Sequence, residues 1–348
     1  MPNNRPLLTI AVPTFNRARY LDQFLSVLFG QVREEPRIEL IVSDNDSPDD
    51  TPAVVQRYQD RGLPIRFVRN GENIGPDGNI LQSFELATGK YVWVVGDDDV
   101  IEPGGIARIL SLLTSEMPDI VFCAHRPFRG SYQGRLPEIR TRRRSEIIED
   151  PIRFVHLANR HGDFVFISAV ITNKDLVLQS PHPPFRQFLQ TNLVQLGWHF
   201  TALKYFRKGI FVELGTVAGT AVDSGFSFDA AARVFGINYA DAVDTFIGHD
   251  SLVAKALIND QLFLWFPRHW IHMRRSSRLS TTDLHQILKA RFVAHPLYWL
   301  VVYPIAELPL FLARIYTKLI RVIQRLTRID LTPGIFQLET RLGQRDPH

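Results

Sequence analysis

Cysteine is almost missing: Cys123 is the only one in 348 residues. No disulfide framework can therefore form within the chain, and neither a zinc cluster nor a Cys-paired redox centre can be assembled, which fits a reducing compartment. Low-complexity tracts and internal repeats are lacking too, and with 45% apolar and 22% charged residues wholesale disorder is excluded. The opening MPNNRPLLTIAVPTF has no signal-peptide pattern, because its apolar stretch is short and runs into a first strand, so export is not expected. No Gly-rich basic loop stands near the start, which argues against nucleotidyl transfer. A clean membrane span is missing as well. FVAHPLYWLVVYPIAELPLFLA, residues 292–313, carries Glu307 and three prolines, more interruptions than a spanning helix of ~20 residues normally holds.

What is present is unevenly charged. Residues 268–348 carry 13 basic and 5 acidic side chains, a net +8, whereas the preceding residues carry 27 basic and 31 acidic, a net −4. A basic C-terminal segment points to an anionic surface. After the apolar run, RIYTKLIRVIQRLTRI sets Arg314, Lys318, Arg321, Arg325 and Arg328 on one helical stripe, with Ile315, Leu319, Val322, Ile323, Leu326 and Ile329 on the other side. This is the pattern of an interfacial helix, and it predicts contact with a membrane surface, the preceding run inserting shallowly. Nucleic acid is ranked last as a partner, because apolar residues rather than stacking aromatics fill the opposite face.

The first 125 residues alternate β-rich runs with helix-period stretches. LLTIAV, IELIVSD, IRFVR, YVWVV and DIVFCA read as strands. Arg19 to about Val32, Thr51–Asp60, Gly78–Ala87 and Gly104–Leu113 read as helices. This order predicts an α/β fold with a mostly parallel central sheet flanked by helices, whose ligands sit beyond the carboxyl ends of the strands. Polar clusters fall at those ends: Pro13 to Arg17, Asp44-Asn45-Asp46, Arg69-Asn70, and Asp97-Asp98-Asp99. From Arg126 to Asp150 the text is irregular and basic and reads as a loop, in which Arg140, Arg142, Arg143 and Arg144 are either phosphate ligands or a solvated charge run. FVFISAVITN is strand-like, and Phe185–Asp260 reads as helix-like.

The acidic triplet carries the most chemistry. Oxygen-only ligands suit a hard ion, Mg²⁺ or Mn²⁺, shared with substrate phosphates, and so point to a diphosphate substrate. The alternative is an acidic turn ahead of the helix after Pro103.

TIAVPTFNRARYL, LIVSDNDSPDDT and ENIGPDGNILQSFELATGKYVWVVGDDD, in this order over residues 7–125, resemble the family-2 glycosyltransferases of GT-A fold. The resemblance implies a nucleotide-diphosphate sugar as donor and a glycan hydroxyl as acceptor. It divides the chain into a nucleotide-sugar-binding half at 1–125, an acceptor-binding half at 126–267 and a basic helical extension at 268–348. Pro13, Thr14, Asn16 and Arg17 would line the nucleotide pocket, Asp44 would accept from the base, and Asp46 would sit beside it. Asn73, Gly75 and Asn79 would belong to a turn and helix against the nucleotide, Gly75 by close backbone approach. Asp97 and Asp98 would meet the ribose or sugar, and Asp97 and Asp99 would hold the metal.

In this family a Glu-Asp pair downstream usually supplies the catalytic base, but no carboxylate occurs from Leu176 to Gly197. His199 is the first substitute, since imidazole titrates near neutrality; Asp163 is the second, and Asp97 completes the catalytic candidates. TNLVQLGWHF and VAGTAVDSGFS resemble the abequosyltransferase-like branch of O-antigen assembly. That likeness implies a polyprenyl-diphosphate-linked acceptor, inversion at the sugar carbon, and a cytoplasmic, peripheral location on the inner face of a bacterial membrane. A degenerate GT-A domain that binds without turnover remains the alternative.

Overall fold

A computed structural model describes residues 5–128, 130–132, 145–220, 232–267, 269 and 281–331. Arg140, Arg142, Arg143 and Arg144 lie outside the described residues. The chain divides into two compact units, one of Met1–Gly225 with Asn238–Leu257 and the other of Phe226–Ile237 with Ile258–His348.

The first unit is built on a nine-stranded sheet. Its strands are β1 (Leu8–Thr14), β2 (Ile38–Asp44), β3 (Ile65–Arg69), β4 (Tyr91–Val94), β5 (Val100–Ile101), β6 (Ile120–Phe128), β7 (Ser145–Ile148), β8 (Val170–Asn173) and β9 (Gly209–Thr220). The order is β3-β2-β1-β4-β8-β6-β9-β5, with β7 also on β9. β1, β2, β3 and β4 are mutually parallel; the runs of β1, β2 and β4 are buried on both faces, as interior parallel strands require, while β3 is the half-exposed edge. Beyond β4 the sheet is mixed: β8 enters antiparallel between β4 and β6, β6 pairs β9 in parallel, and β5 and β7 lie antiparallel on β9. The expectation of a mostly parallel sheet holds, since β1, β2, β3, β4, β6 and β9 run in one direction and only β5, β7 and β8 run against them. β9 corrects the helical reading of Phe185–Asp260, and β7 adds a strand where a loop was expected.

Helices α1 (Ala18–Val32), α2 (Thr51–Asp60), α3 (Gly75–Leu86) and α4 (Gly105–Glu116) follow their strands. Leu21, Phe24, Leu25, Leu28 and Val32 of α1 recur at three- and four-residue intervals and are buried on the sheet. Each such side chain stabilises the fold by roughly 1.5–3 kcal/mol. α3 is fixed at its far end by the buried Lys174, whose Nζ donates to the carbonyls of Phe84 (2.7 Å), Glu85 (3.1 Å) and Ala87 (2.6 Å). These are carbonyls a helix C-terminus leaves unpaired. The anchored helix presents its first turn to the strand ends.

The described residues of the second unit are largely helical. The apolar run from 292 to 313 is broken into Tyr298–Val302, Tyr303–Glu307 and the start of Leu310–Leu331, with Pro304 and Pro309 at the junctions. Among the described residues no helix is long and apolar enough to cross a membrane.

Candidate active site

A cavity of about 390 Å³ opens where β1, β2 and β4 end, lined among others by Pro13, Thr14, Arg17, Asn45, Asn79 and Asp98. Strand register explains the convergence, since Thr14 at the end of β1 is paired with Asp44 at the end of β2. Asn73, Pro76 and Ile80 come from the turn before α3 and its first turns, and Gly96 and Asp97 from the segment after β4.

The acidic wall is organised by Arg17. Its Nη1 donates to Asp97 Oδ1 at 3.0 Å and lies 3.0 Å from Asp98 Oδ2. Thr14 Oγ1 donates to the other oxygen of Asp97 at 2.7 Å. Burial pushes the Asp97 carboxyl up to about 6, against the pull of Arg17. The Asp98 side chain is 21% exposed and is the outermost of the three acids.

Asp99 departs from expectation. It is absent from the cavity lining, and its oxygens are engaged elsewhere: Oδ2 accepts from Ser168 Oγ and Oδ1 from the Thr220 backbone N–H at 2.9 Å. Burial, reinforced by the neighbouring Asp98 charge, raises its carboxyl to about 7. Asp99 ties β9 to the β4 segment, and of the three acids Asp97 and Asp98 are the two that line the cavity. Gly96 is closely packed: a Cβ there would lie 3.0 Å from Asp99 Oδ2 and 3.1 Å from Asp98 Oδ1, so both carboxylates would have to shift slightly.

The other strand ends form a polar scaffold. Asp44 is fully buried; Oδ1 accepts from the Ser47 N–H at 3.0 Å, while Oδ2 has no hydrogen-bond partner and only Arg69 Nε at 3.7 Å. A buried carboxylate oxygen without a hydrogen-bond donor is costly, and Asp44 stands behind the cavity rather than in its lining. Asp46 and Asn16 lie outside the lining: both have left-handed backbones, with φ of 63° and 54°. Asp46 accepts from Arg69, and the Asn16 N–H donates to Ser47 Oγ. Asn79 is locked by a reciprocal pair, accepting from Ser43 Oγ at 2.7 Å and donating to the Ser43 carbonyl at 2.9 Å. Gly75 has φ of +78°, but nothing lies within 4 Å of the Cβ it lacks. That left-handed backbone is the conformation glycine adopts without steric cost.

Neither substitute base reaches the cavity. His199 is buried on a helix in which Leu196 to Leu203 are all buried, and its Nδ1 is 3.2 Å from the Phe164 carbonyl. Burial lowers its imidazole from 6.5 to about 3. It is a neutral, buried residue outside the cavity lining. Asp163 caps a turn, accepting from the N–H groups of Val165 and Phe166.

Two residues that sequence reasoning missed hold the site together. Ser168 accepts from the Gly96 N–H at 2.9 Å while donating to Asp99. Asp77, buried in the first turn of α3, accepts from the Asn192 N–H at 2.8 Å. Asn192 and Gln190 have φ of 60° and 68°, so the segment lacking carboxylates is bent around a carboxylate supplied by α3. Asn45 is the third omission: its side chain pairs with Asn70, Asn73, Ile74 and Gly75, joining β2 to the turn before α3. Its place between two singled-out aspartates was the available signal.

The family pattern described as "Glycosyl transferase family 2" matches residues 9–176, the segment that contributes every residue of this cavity. Residues 9–176 belong to glycosyl transferase family 2. Among curated relatives of the family-2 domain, abequosyltransferase RfbV of Salmonella typhimurium is 31% identical over 182 residues, 49% of this chain and 53% of that protein. The GalNAc(5)-diNAcBac-PP-undecaprenol beta-1,3-glucosyltransferase of Campylobacter jejuni is 34% identical over 106 residues, 30% of this chain and 34% of that one. The matches thus span about half of the first relative and a third of the second. Among solved structures, S. aureus TarS 1-349 in complex with UDP superposes with a TM-score of 0.58 at 16% identity, covering 93% of this chain and 91% of that one. Mannosyltransferase PcManGT from Pyrobaculum calidifontis, in complex with GDP-Man and Mn²⁺, gives a TM-score of 0.50 at 15% identity, covering 92% and 87%. These likenesses establish the α/β GT-A fold.

Proposed function

We propose that the protein transfers a glycosyl group from a nucleoside-diphosphate sugar to a hydroxyl of a glycan carried on a polyprenyl diphosphate, in polysaccharide or O-antigen assembly. The observation that carries this reading is the cavity at the ends of β1, β2 and β4, walled by Asp97 and Asp98 on one side. Asp44, paired with the cavity-lining Thr14, keeps an unpartnered oxygen suited to a nucleobase N–H. Similarity to an abequosyltransferase and a glucosyltransferase supports a hexose or deoxyhexose donor, and the undecaprenol-linked substrate of the second supports a lipid-linked acceptor.

The residues fit a divalent cation. Asp97 and Asp98 are adjacent carboxylates in the cavity lining, and Mg²⁺ or Mn²⁺ takes one or two carboxylates and completes its shell with substrate phosphate and water. Asp97 and Asp98 would hold the ion, which when bound neutralises the departing diphosphate. Arg17 supplies a second positive charge at the same place. In the reaction the acceptor oxygen bonds to the sugar carbon with inversion, the bond to the diphosphate breaks with its electron pair, and the hydroxyl proton passes to a base. Asp97 alone among the expected catalytic residues lines the cavity.

A binding-only reading is favoured by one observation, the burial of His199 together with the absence of carboxylates from Leu176 to Gly197. Incubation with UDP-, dTDP-, CDP- and GDP-sugars in the presence of Mn²⁺ separates the two. Release of one nucleoside diphosphate, lost in Asp98→Asn, supports transfer; binding without release supports the scaffold.

A further inference from the structure

Helix Leu310–Leu331 presents three faces rather than two. At about 100° per residue, Ala313, Thr317 and Ile320 fall together, and all three are buried. Tyr316 and Gln324 lie on the same inward side and bond to the carbonyls of Leu300 and Phe263 within this unit. The apolar stripe is a separate arc. Phe311, Ile315, Leu319, Val322 and Leu326 are between 49% and 63% exposed, so the helix packs on its own unit without using its strongest apolar residues. On the third arc Arg314, Lys318, Arg321 and Arg325 are all exposed and border the stripe along its length.

We propose that this stripe seats the protein on an anionic lipid surface, the five apolar side chains entering the acyl boundary and the four cations meeting headgroup phosphates. Charge complementarity selects the occupant. A second copy of this chain would bring like charges together along the stripe, whereas an anionic bilayer satisfies both arcs at once. Trp299 and Leu300 are also exposed, and the turn that carries them is tied to the helix by Tyr316. An aromatic ring beside the stripe suits the headgroup level. The inference does not depend on which sugar or nucleotide the cavity takes.

The test is co-sedimentation of the full-length protein, without nucleotide sugar, with vesicles of phosphatidylglycerol mixed into phosphatidylcholine and with vesicles of phosphatidylcholine alone. The protein is expected to pellet with the mixed vesicles and to be released by high salt. Ile315→Ser/Leu319→Ser should abolish pelleting, and each of Arg314→Gln, Lys318→Gln, Arg321→Gln and Arg325→Gln should weaken partition about fivefold. All six positions are exposed, so circular dichroism of the variants should match the parent. Equal binding to both vesicle types, or pelleting unchanged by the double serine variant, overturns the proposal. So does a dimer by light scattering that the double serine variant dissolves, which would assign the stripe to a second copy.

Discussion

Arg17 Nη1 stands 3.0 Å from Asp98 Oδ2, so an arginine of the chain itself sets a positive charge against the cavity carboxylates. The same nitrogen satisfies Asp97 at 3.0 Å. One guanidinium thus offsets part of the charge of two carboxylates, and under the proposed function a cation would compete with it. Arg17→Gln should bind Mn²⁺ alone several-fold more tightly than the parent, because the competing charge is gone, and bind the nucleotide sugar less tightly, because a phosphate partner is lost. Titration of Mn²⁺ by electron paramagnetic resonance reads the first effect and calorimetry the second. Weaker Mn²⁺ binding in the variant would contradict the competition.

Asp98 and Asp99 should separate cleanly. Asp98→Asn removes a cavity carboxylate that little else depends on, so turnover should fall by about two or more orders of magnitude with the melting temperature nearly unchanged. Asp99→Ala leaves the Ser168 hydroxyl and the Thr220 N–H without an acceptor, and should cost at least about 1–3 kcal/mol of stability. Thermal unfolding and donor hydrolysis measured on both variants check this. Equal loss of activity at unchanged stability for both would restore Asp99 as a ligand.

Asp44→Asn keeps an oxygen for the Ser47 N–H and replaces the unpartnered oxygen with a donor. Nucleotide binding should weaken about 10- to 100-fold, the scale of a charge-assisted hydrogen bond, while the fold is retained. Undiminished affinity for the nucleotide would remove Asp44 from base recognition.

His199 sets a pH dependence of stability rather than of catalysis. Its imidazole is lowered from 6.5 to about 3 by burial, so below 6.5 the unfolded chain binds a proton that the folded protein refuses. Its contribution is present above pH 6.5 and is lost as pH falls toward 3, amounting to about 2 kcal/mol at pH 5. Urea unfolding at pH 7 and pH 5 should show a smaller difference for His199→Asn than for the parent. An identical difference would mean the buried imidazole is not what titrates.

Much of the donor half was legible because its signals are local. The strands β1 to β4 are runs of apolar and β-branched residues, α1 repeats its apolar positions every three or four residues, and the polar clusters sit at strand ends. Where the sequence reading failed, the determinants were long-range or directional. Three consecutive aspartates announce an acidic turn, but only the backbone decides that Asp98 faces out while Asp99 turns toward Ser168, 69 residues away. Asp77 reads as an ordinary first-turn acid, yet its partner is Asn192. His199 looked available because Trp198-His199 gave no periodic cue, and the helix that holds it is buried on every side from Leu196 to Leu203. β9 reads poorly as a strand because its pairing with β6 is interrupted, Gly215 falling between the paired segments Gly209–Val212 and Val217–Thr220.

Calorimetry of the full-length protein with Mn²⁺ and a panel of UDP-, dTDP-, CDP- and GDP-sugars tests the donor cavity most directly. The account predicts a heat of binding for one donor that requires the metal and disappears in Asp98→Asn. No heat with any member of the panel, or the same heat in the variant, would contradict it.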